Sequence, residues 1–340
     1  MRYCIWNNKG GVGKTFLTYC LAVEYALRYP KKTVAVVDMC PQANVSEMLL
    51  GGNGLGEKNL STFYKERRTI ASYIVDRLKG GWTSRLGREI DYFVKIHDFN
   101  SNLPANLYLL PGDFDLDNCA EVLDYIASSP ITRAAWASSR QFLSEIISVF
   151  EDRQKQPITL FIDTNPSFAN YTQAGVIAAD RLIVPCTADY ASIRGVYNIF
   201  YRIFGVKEVN GYVGESDVTT FHSKALTSGV ILPKIHSFLL NRSRSHRRDA
   251  SRAYESYTLE IKKIIRGLVK KHKDCFALRA GKYAFNVKDS NTLSAVLNYN
   301  GLRPSALQNK EYDVYDGSAR VNMSQVSGFL DDIAKIVALL

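Results

Sequence analysis

Asn7-Asn8-Lys9-Gly10-Gly11-Val12-Gly13-Lys14-Thr15 decides how this chain is read. A short apolar run, Tyr3-Cys4-Ile5-Trp6, precedes it and reads as a buried strand, while Phe16 to Tyr29 reads as a helix. Strand, Gly-rich loop, Gly-Lys-Thr and helix is the arrangement that cradles phosphates. Glycines let backbone N–H groups turn onto phosphate oxygens with no Cβ in the way, and the helix N-terminus adds partial positive charge there. Lys9, Gly10, Gly11, Val12, Gly13, Lys14 and Thr15, with Phe16 behind them, therefore form a candidate nucleoside-triphosphate site. Lys14 is spaced to reach the β- and γ-phosphates, and the Thr15 hydroxyl to ligate Mg²⁺. The general spacing G-x-x-x-x-G-K-[ST] asks for glycine at position 8, where Asn8 stands. The variant Lys-Gly-Gly-Val-Gly-Lys-Thr is present in full, and Lys9 is its extra residue.

Two further strands end in an acid. Thr33 to Asp38 is a continuous apolar run closing on Asp38, and Pro157 to Asp163 closes on Asp163. Such runs read as parallel strands buried on both faces. Ligands of open α/β sheets bind beyond the carboxyl ends of the strands, so Asp38 and Asp163 are candidates for holding Mg²⁺ or its waters. Thr164-Asn165-Pro166-Ser167 follows as a sensing loop.

The remaining pattern alternates strands and helices. Pro41 to Leu50 opens a short helix, Gly51 to Gly56 reads as a flexible break, and Leu60 to Leu78 reads as one helix. The stretch from Gly80 to Asn106 reads as an irregular surface excursion. Strands follow at 106–112, 180–186 and 230–240, with helices at 116–127, 133–153 and 191–204. Tyr283 to Val287 reads as a final edge strand, and helices at 292–299 and 323–340 close the chain. The expected fold is one α/β domain with a doubly wound, mostly parallel sheet over 1–340, interrupted by an insertion at 51–105.

With 340 residues, 46% of them hydrophobic, the chain can bury a sizeable core. Six scattered cysteines with no Cys-x-x-Cys pair argue against zinc, an iron–sulfur cluster or a disulfide framework, and for a reduced, cytoplasmic compartment. The chain enters its first strand at once, so no cleavable signal is expected. No apolar run approaches the ~20 residues that span a bilayer.

Charge is concentrated in one place. Residues 241–273 hold eleven Lys and Arg against three acids, a surplus of eight positive charges in a chain of net +10. The segment reads as a long basic helix or helix pair. Arg242, Arg244, Arg247, Arg248, Arg252, Lys262, Lys263, Arg266, Lys270 and Lys271 are candidate contacts to the phosphates of non-specific double-stranded DNA. Arg194 and Arg202 extend the patch if their helix is a neighbour. No base-reading module such as a helix-turn-helix is present.

The phosphate loop, Val36-Val37-Asp38 with Pro41-Gln42-Ala43-Asn44, and Ile162-Asp163-Thr164-Asn165-Pro166-Ser167 together resemble the ParA/MinD family of deviant Walker ATPases. The Pro-Gln-x-Asn and Asp-x-x-Pro-Ser details look like the ParA branch, which positions plasmids, chromosomes or other large cargo. The resemblance implies an ATP-dependent homodimer, nucleoid association and a ParB-like or adaptor partner that stimulates hydrolysis. It makes Lys9 the signature lysine that crosses to the partner subunit's phosphates. Lys9, Lys14 and Asp38 become catalytic candidates, Thr15, Asp38 and Asp163 the metal set, and Asn241 an adenine contact. One position departs: the family's second acid, which helps position the attacking water, is here Cys40, so slow or partner-dependent hydrolysis is expected. Two alternatives stay open. A membrane-associated MinD-type ATPase would need a basic amphipathic C-terminal helix, whereas 329–340 carries two Asp and one Lys, so no membrane partner is expected. A nucleotide-gated scaffold would follow if Cys40 abolished turnover.

Overall fold

The computed structural model describes residues 1–128, 134–209, 212–213, 220–243, 248–277, 283–290 and 292–340. In chain order the elements are β1 (Arg2–Ile5), α1 (Lys14–Arg28), β2 (Thr33–Met39), α2 (Asn44–Leu49), α3 (Gly52–Glu66), α4 (Ile70–Gly80), β3 (Val94–Lys95) and β4 (Leu107–Leu110). Next come α5 (Leu116–Ala127), α6 (Ala135–Arg153), β5 (Ile158–Thr164), α7 (Asn170–Ile177), β6 (Arg181–Cys186), α8 (Tyr190–Phe204), a small hairpin of β7 (Glu208–Val209) and β8 (Tyr212–Val213), and α9 (Phe221–Thr227). The last part holds β9 (Lys234–Ser243), α10 (Arg248–Lys271), β10 (Ala284–Lys288), α11 (Leu293–Asn300), a hairpin of β11 (Glu311–Val314) and β12 (Gly317–Arg320), and α12 (Met323–Val337).

Eight strands form one sheet in the order β10-β9-β6-β1-β5-β2-β4-β3, parallel throughout except for β3. The continuous apolar runs have the physical cause expected of them: successive side chains feed opposite cores. In β2, Val34 and Val36 enter the core shared with α1, α3 and α12, while Ala35, Val37 and Met39 enter the one shared with α4, α6 and α7. Chain order reverses about β1, which lies between β5 and β6, so the carboxyl ends of β1, β2 and β5 open the crevice where such sheets bind ligands. The register sets Asp38 beside Asp163 and Ile5 beside Asp163, so the phosphate loop and both acids leave the sheet together.

Several local expectations change. Gly51 to Gly56 is not a break: α3 begins at Gly52, and Gly52 and Gly56 serve close packing. A Cβ on Gly56 would lie 2.0 Å from the Glu47 carbonyl oxygen, so only glycine lets α3 approach α2 this closely. The expected helix over 60–78 is two, because Arg67 ends α3 with φ 55° and Thr69 caps α4 by accepting from Ser72 N–H. The break lets α3 pack on one face of the sheet and α4 on the other. The stretch 80–106 is not all surface: Tyr92, Phe93, Val94, Ile96 and Leu103 are buried, and β3 adds an antiparallel edge strand. β10 is an edge strand as expected but not the last one, since the β11–β12 hairpin follows. Nothing in 311–320 alternates strongly enough to have signalled it.

α10 is one helix rather than a pair. Ile261, Ile264, Ile265 and Leu268 are buried against the sheet, leaving Lys263, Arg266, Lys270 and Lys271 exposed and Lys262 half-buried. α8 packs beside it, with Phe200 6.1 Å from the His272 ring, and both Arg194 and Arg202 are exposed. Arg244 and Arg247 lie outside the described residues. So do the side chains of Arg242, Arg248 and Arg252, which stand on described backbone of β9 and α10.

Candidate functional site

The loop between β1 and α1 is held from behind. Asn7 is fully buried and donates to the Pro185 carbonyl at 2.7 Å, while its Oδ1 accepts from Lys9 N–H at 3.1 Å. Gly11 and Gly13 have φ of 72° and 86°, the left-handed region where a side chain is strained. Asn241, at the end of β9, donates its amide to the Val12 carbonyl at 3.0 Å, and its own carbonyl accepts from the Tyr254 hydroxyl of α10 at 2.9 Å. The amide lies against Gly13, where a Cβ would sit 2.3 Å from Asn241 Nδ2. Asn241 is thus a brace under the loop. Gly13→Ala is expected to destabilise the fold by about 2–4 kcal/mol, combining left-handed strain with a clash, and adding Asn241→Ala to recover the clash portion only. Urea unfolding of the single and double variants checks this; equal loss in both would remove the brace.

Lys14 is 6% exposed, and its Nζ turns back to the Lys9 carbonyl at 3.1 Å. Burial pushes its amine down to about 8, against the opposing charge of Asp163. Asp163 is fully buried and accepts from Thr15 Oγ1 at 2.8 Å and Thr18 Oγ1 at 3.0 Å. Burial holds its carboxyl above the ordinary range despite those two hydroxyls. Asp38 is raised as well, by burial first and by the neighbouring Asp163 second. Its Oδ1 accepts from Cys40 N–H at 3.1 Å, and its Oδ2 from Ser46 N–H and Oγ at 3.1 and 2.7 Å. Ser46 Oγ in turn accepts from Gly112 N–H at 3.0 Å, tying the end of β4 into the site.

Cys40 is 7% exposed, and burial, with the charges of Asp38 and Asp163 behind it, pushes its thiol up to about 12. It is a neutral thiol at any working pH. Lys9 lies on the outer side of the loop. Its Nζ donates to Thr187 Oγ1 at 2.7 Å and pairs with Asp189 in the β6–α8 connection.

The donor set fits Mg²⁺ with a nucleotide. Its members are oxygens of Thr15, Asp38 and Asp163, the hard ligands such a cation takes, and two adjacent buried carboxylates gain from a positive charge between them. Among the described residues, nothing lies within 4 Å of a Cβ placed on Gly11, and only Pro166 lies that near one on Gly10.

The structure brings Lys9, Lys14, Thr15, Asp38, Cys40 and Asp163 to one end of the sheet, with Asn241 beneath the loop. It also adds residues that sequence reasoning missed. Thr18 could have been found from its position one helical turn beyond Lys14, on the same face of α1. Asp189 carried a weak signal, an acid shortly after a strand. Asn7 and Ser46 carried none, because the contacts that tie them into the site, Asn7 to Pro185 and Ser46 to Gly112, join segments far apart in the chain.

The sequence model of a family described as an AAA domain matches residues 2–213. A ParA family protein of Mycoplasma genitalium is 23% identical over 204 residues, covering 60% of this chain and 65% of that protein. The chain spans 61% to 66% of the length of the curated relatives it matches. Among solved structures, apo McdA of Cyanothece aligns with a TM-score of 0.62 at 16% identity, covering 99% of this chain and 98% of that one. The pNOB8 ParA structure aligns at 0.59 and 16% identity, covering 99% and 96%. At such identities the likeness is one of fold. With its phosphate loop and paired acids inside the matched span, the chain belongs to this AAA-domain family, and its mostly parallel sheet gives it the P-loop fold of the ParA/MinD type.

Proposed function

We propose that this chain is an ATP-gated positioning ATPase that pairs with a second copy when ATP is bound and then holds non-specific DNA. The observation that carries the reading is a phosphate loop with two lysines in different settings. Lys14 is buried and inward, suited to the chain's own β- and γ-phosphates. Lys9 stands outside, one quarter exposed, suited to the phosphates of a facing subunit. Gly10 to Thr15 and Phe16 line the nucleotide. Thr15, Asp38 and Asp163 would hold Mg²⁺, which neutralises charge on the β- and γ-phosphate oxygens when bound. Asp38, already fixed by Cys40 and Ser46, suits an outer position facing the metal's waters. Hydrolysis is slow because Cys40 offers no acceptor for the attacking water, and a ParB-like or adaptor partner would accelerate it. The resemblance assigns Asn241 to the adenine edge, while in this structure its amide bonds the Val12 carbonyl and supports the loop.

The exposed cations of α10, joined by Arg194 and Arg202 on α8, supply the DNA face. Binding to two such faces in one dimer gains avidity that a single chain lacks. A membrane-associated role draws less support, because the apolar side chains of α12 (Phe329, Ile333, Ile336, Val337) are spent on the core. Among the described residues no helix is long and apolar enough to cross a membrane.

The test is binding to a random-sequence duplex with and without Mg²⁺ and ATP across a salt series, for wild type and Lys9→Ala. Wild type is expected to bind only with ATP. If Lys263, Arg266, Lys270 and Lys271 of each of two chains meet one phosphate apiece, the log–log salt slope is about −7. Lys9→Ala is expected to lose the ATP dependence. Equal affinity in both nucleotide states would sink the switch.

A further inference from the structure

We propose that Asp189 is a positioning residue for Lys9, holding the lysine on its own chain in the ATP-free state until phosphate oxygens compete for it. This rests on the reading of Lys9 as the lysine that reaches a facing subunit.

The contact follows from topology. β6 pairs with β1, Ile183 beside Ile5, so the turn after β6 comes alongside the phosphate loop although 178 residues separate Lys9 from Thr187. There the Lys9 ammonium is held by two groups, donating to Thr187 Oγ1 at 2.7 Å and pairing with Asp189 Oδ2. Thr187 Oγ1 also donates to Asp189 Oδ2 at 2.7 Å, which fixes that oxygen toward the lysine. The other oxygen is engaged elsewhere. Asp189 is the N-cap of α8, and Oδ1 accepts from Ser192 N–H at 2.9 Å. One carboxylate therefore anchors a helix with one oxygen and stores a lysine with the other. Partial burial works against its ionisation, but the hydrogen bonds from Lys9, Thr187 and Ser192 outweigh it and hold the carboxyl below its ordinary range. The Cys186 thiol also interacts with it, and burial pushes that thiol up to about 12.

Both lysines of the loop are thus engaged by protein groups, Lys14 by the Lys9 carbonyl and Lys9 by Asp189. Phosphate oxygens of ATP would compete for each. The strength of the Asp189 contact suits release. The two side chains are 25% and 41% exposed, so water screens the pair, and one such contact contributes roughly a two- to five-fold bias in an equilibrium. A fully buried pair would lock the lysine away, and no pair would leave it free to associate without ATP. Because a dimer opens two such contacts, removing them is expected to tighten association on the order of 4- to 25-fold.

Asp189→Asn targets this contact, since asparagine keeps an Oδ1 for the α8 cap while the charge and the oxygen that accepts from Lys9 and Thr187 are replaced by an amide donor. Sedimentation velocity with Mg²⁺ and ATP is expected to show tighter dimerisation for Asp189→Asn than for wild type. Asp189→Asn should have no further effect in a Lys9→Ala background. Unchanged or weaker dimerisation in Asp189→Asn, with circular dichroism showing an intact fold, would overturn the proposal, as would a gain that persists without Lys9. A second readout does not depend on association. In the ATP-free protein, the Asp189 carboxyl followed by carbon NMR is expected to titrate at higher pH in Lys9→Ala than in wild type, and no movement would overturn the ion pair. If the carboxyl moves but wild type fails to associate with ATP, the ion pair is supported and the reading of Lys9 as a crossing lysine falls instead.

Discussion

Lys14→Ala is expected to weaken ATP binding on the order of 10²- to 10³-fold, the cost of truncating one partner of a desolvated, hydrogen-bonded charge pair. The geometry favours the upper part of that range. Lys14 is almost fully buried, so no water replaces its ammonium, and Asp163 would be left with its closest cation gone. Isothermal titration with Mg²⁺ and ATP measures the loss. The wild-type protein carries a further signature. Burial sets the free lysine at about 8, and phosphate binds its charged form, so affinity is expected to fall as pH rises through that value. Lys14→Ala should show no such fall. Wild-type-like affinity in the variant would mean that the backbone of the loop, not the lysine, supplies the grip.

Cys40→Asp is expected to raise ATP turnover on the order of 10²-fold, the contribution of a positioned acceptor for the proton of an attacking water. A neutral buried thiol accepts hydrogen bonds weakly, and the site otherwise offers Asp38, whose two oxygens already take three hydrogen bonds from Cys40 and Ser46. The same substitution sets a third carboxylate beside Asp38 and Asp163. The ATP-free variant should therefore melt at a lower temperature than wild type, with the difference shrinking when Mg²⁺ and ATP are added. Phosphate release together with thermal unfolding separates the outcomes. Equal turnover in both proteins would show that Asp38 suffices and that Cys40 is tolerated without consequence.

How much of this was legible in the chain depends on the range of the interaction concerned. The loop from Lys9 to Thr15 could be read because its glycines and its Gly-Lys-Thr are consecutive, and consecutive residues fix their own backbone. Asp38 and Asp163 could be read because each ends an unbroken apolar run, and runs buried on both faces occur in parallel sheets. The errors fell where the outcome depended on a distant neighbour. Gly51 to Gly56 has the composition of a flexible break, yet α3 begins at Gly52, with α11 close against Gly52 and α2 close against Gly56. Leu60 to Leu78 has helical periodicity across Arg67 to Thr69, yet the chain turns there to feed both cores.

The sequence alone determined the strand–loop–helix that cradles phosphate, the two strand-terminal acids, the concentration of positive charge in 241–273 and the exchange of an acid for Cys40. These are properties of residue identity and short spacing, which no later packing can alter. Only the tertiary structure decided what those residues meet. It set Asp38 beside Asp163 through strand register, placed Asn241 under Gly13 across more than two hundred residues, buried the Cys40 thiol and so pushed its ionisation up, and turned Lys9 onto Asp189. The physical reason is that register, burial and ion pairing are set by strand order, and strand order in this sheet joins segments that the chain keeps far apart.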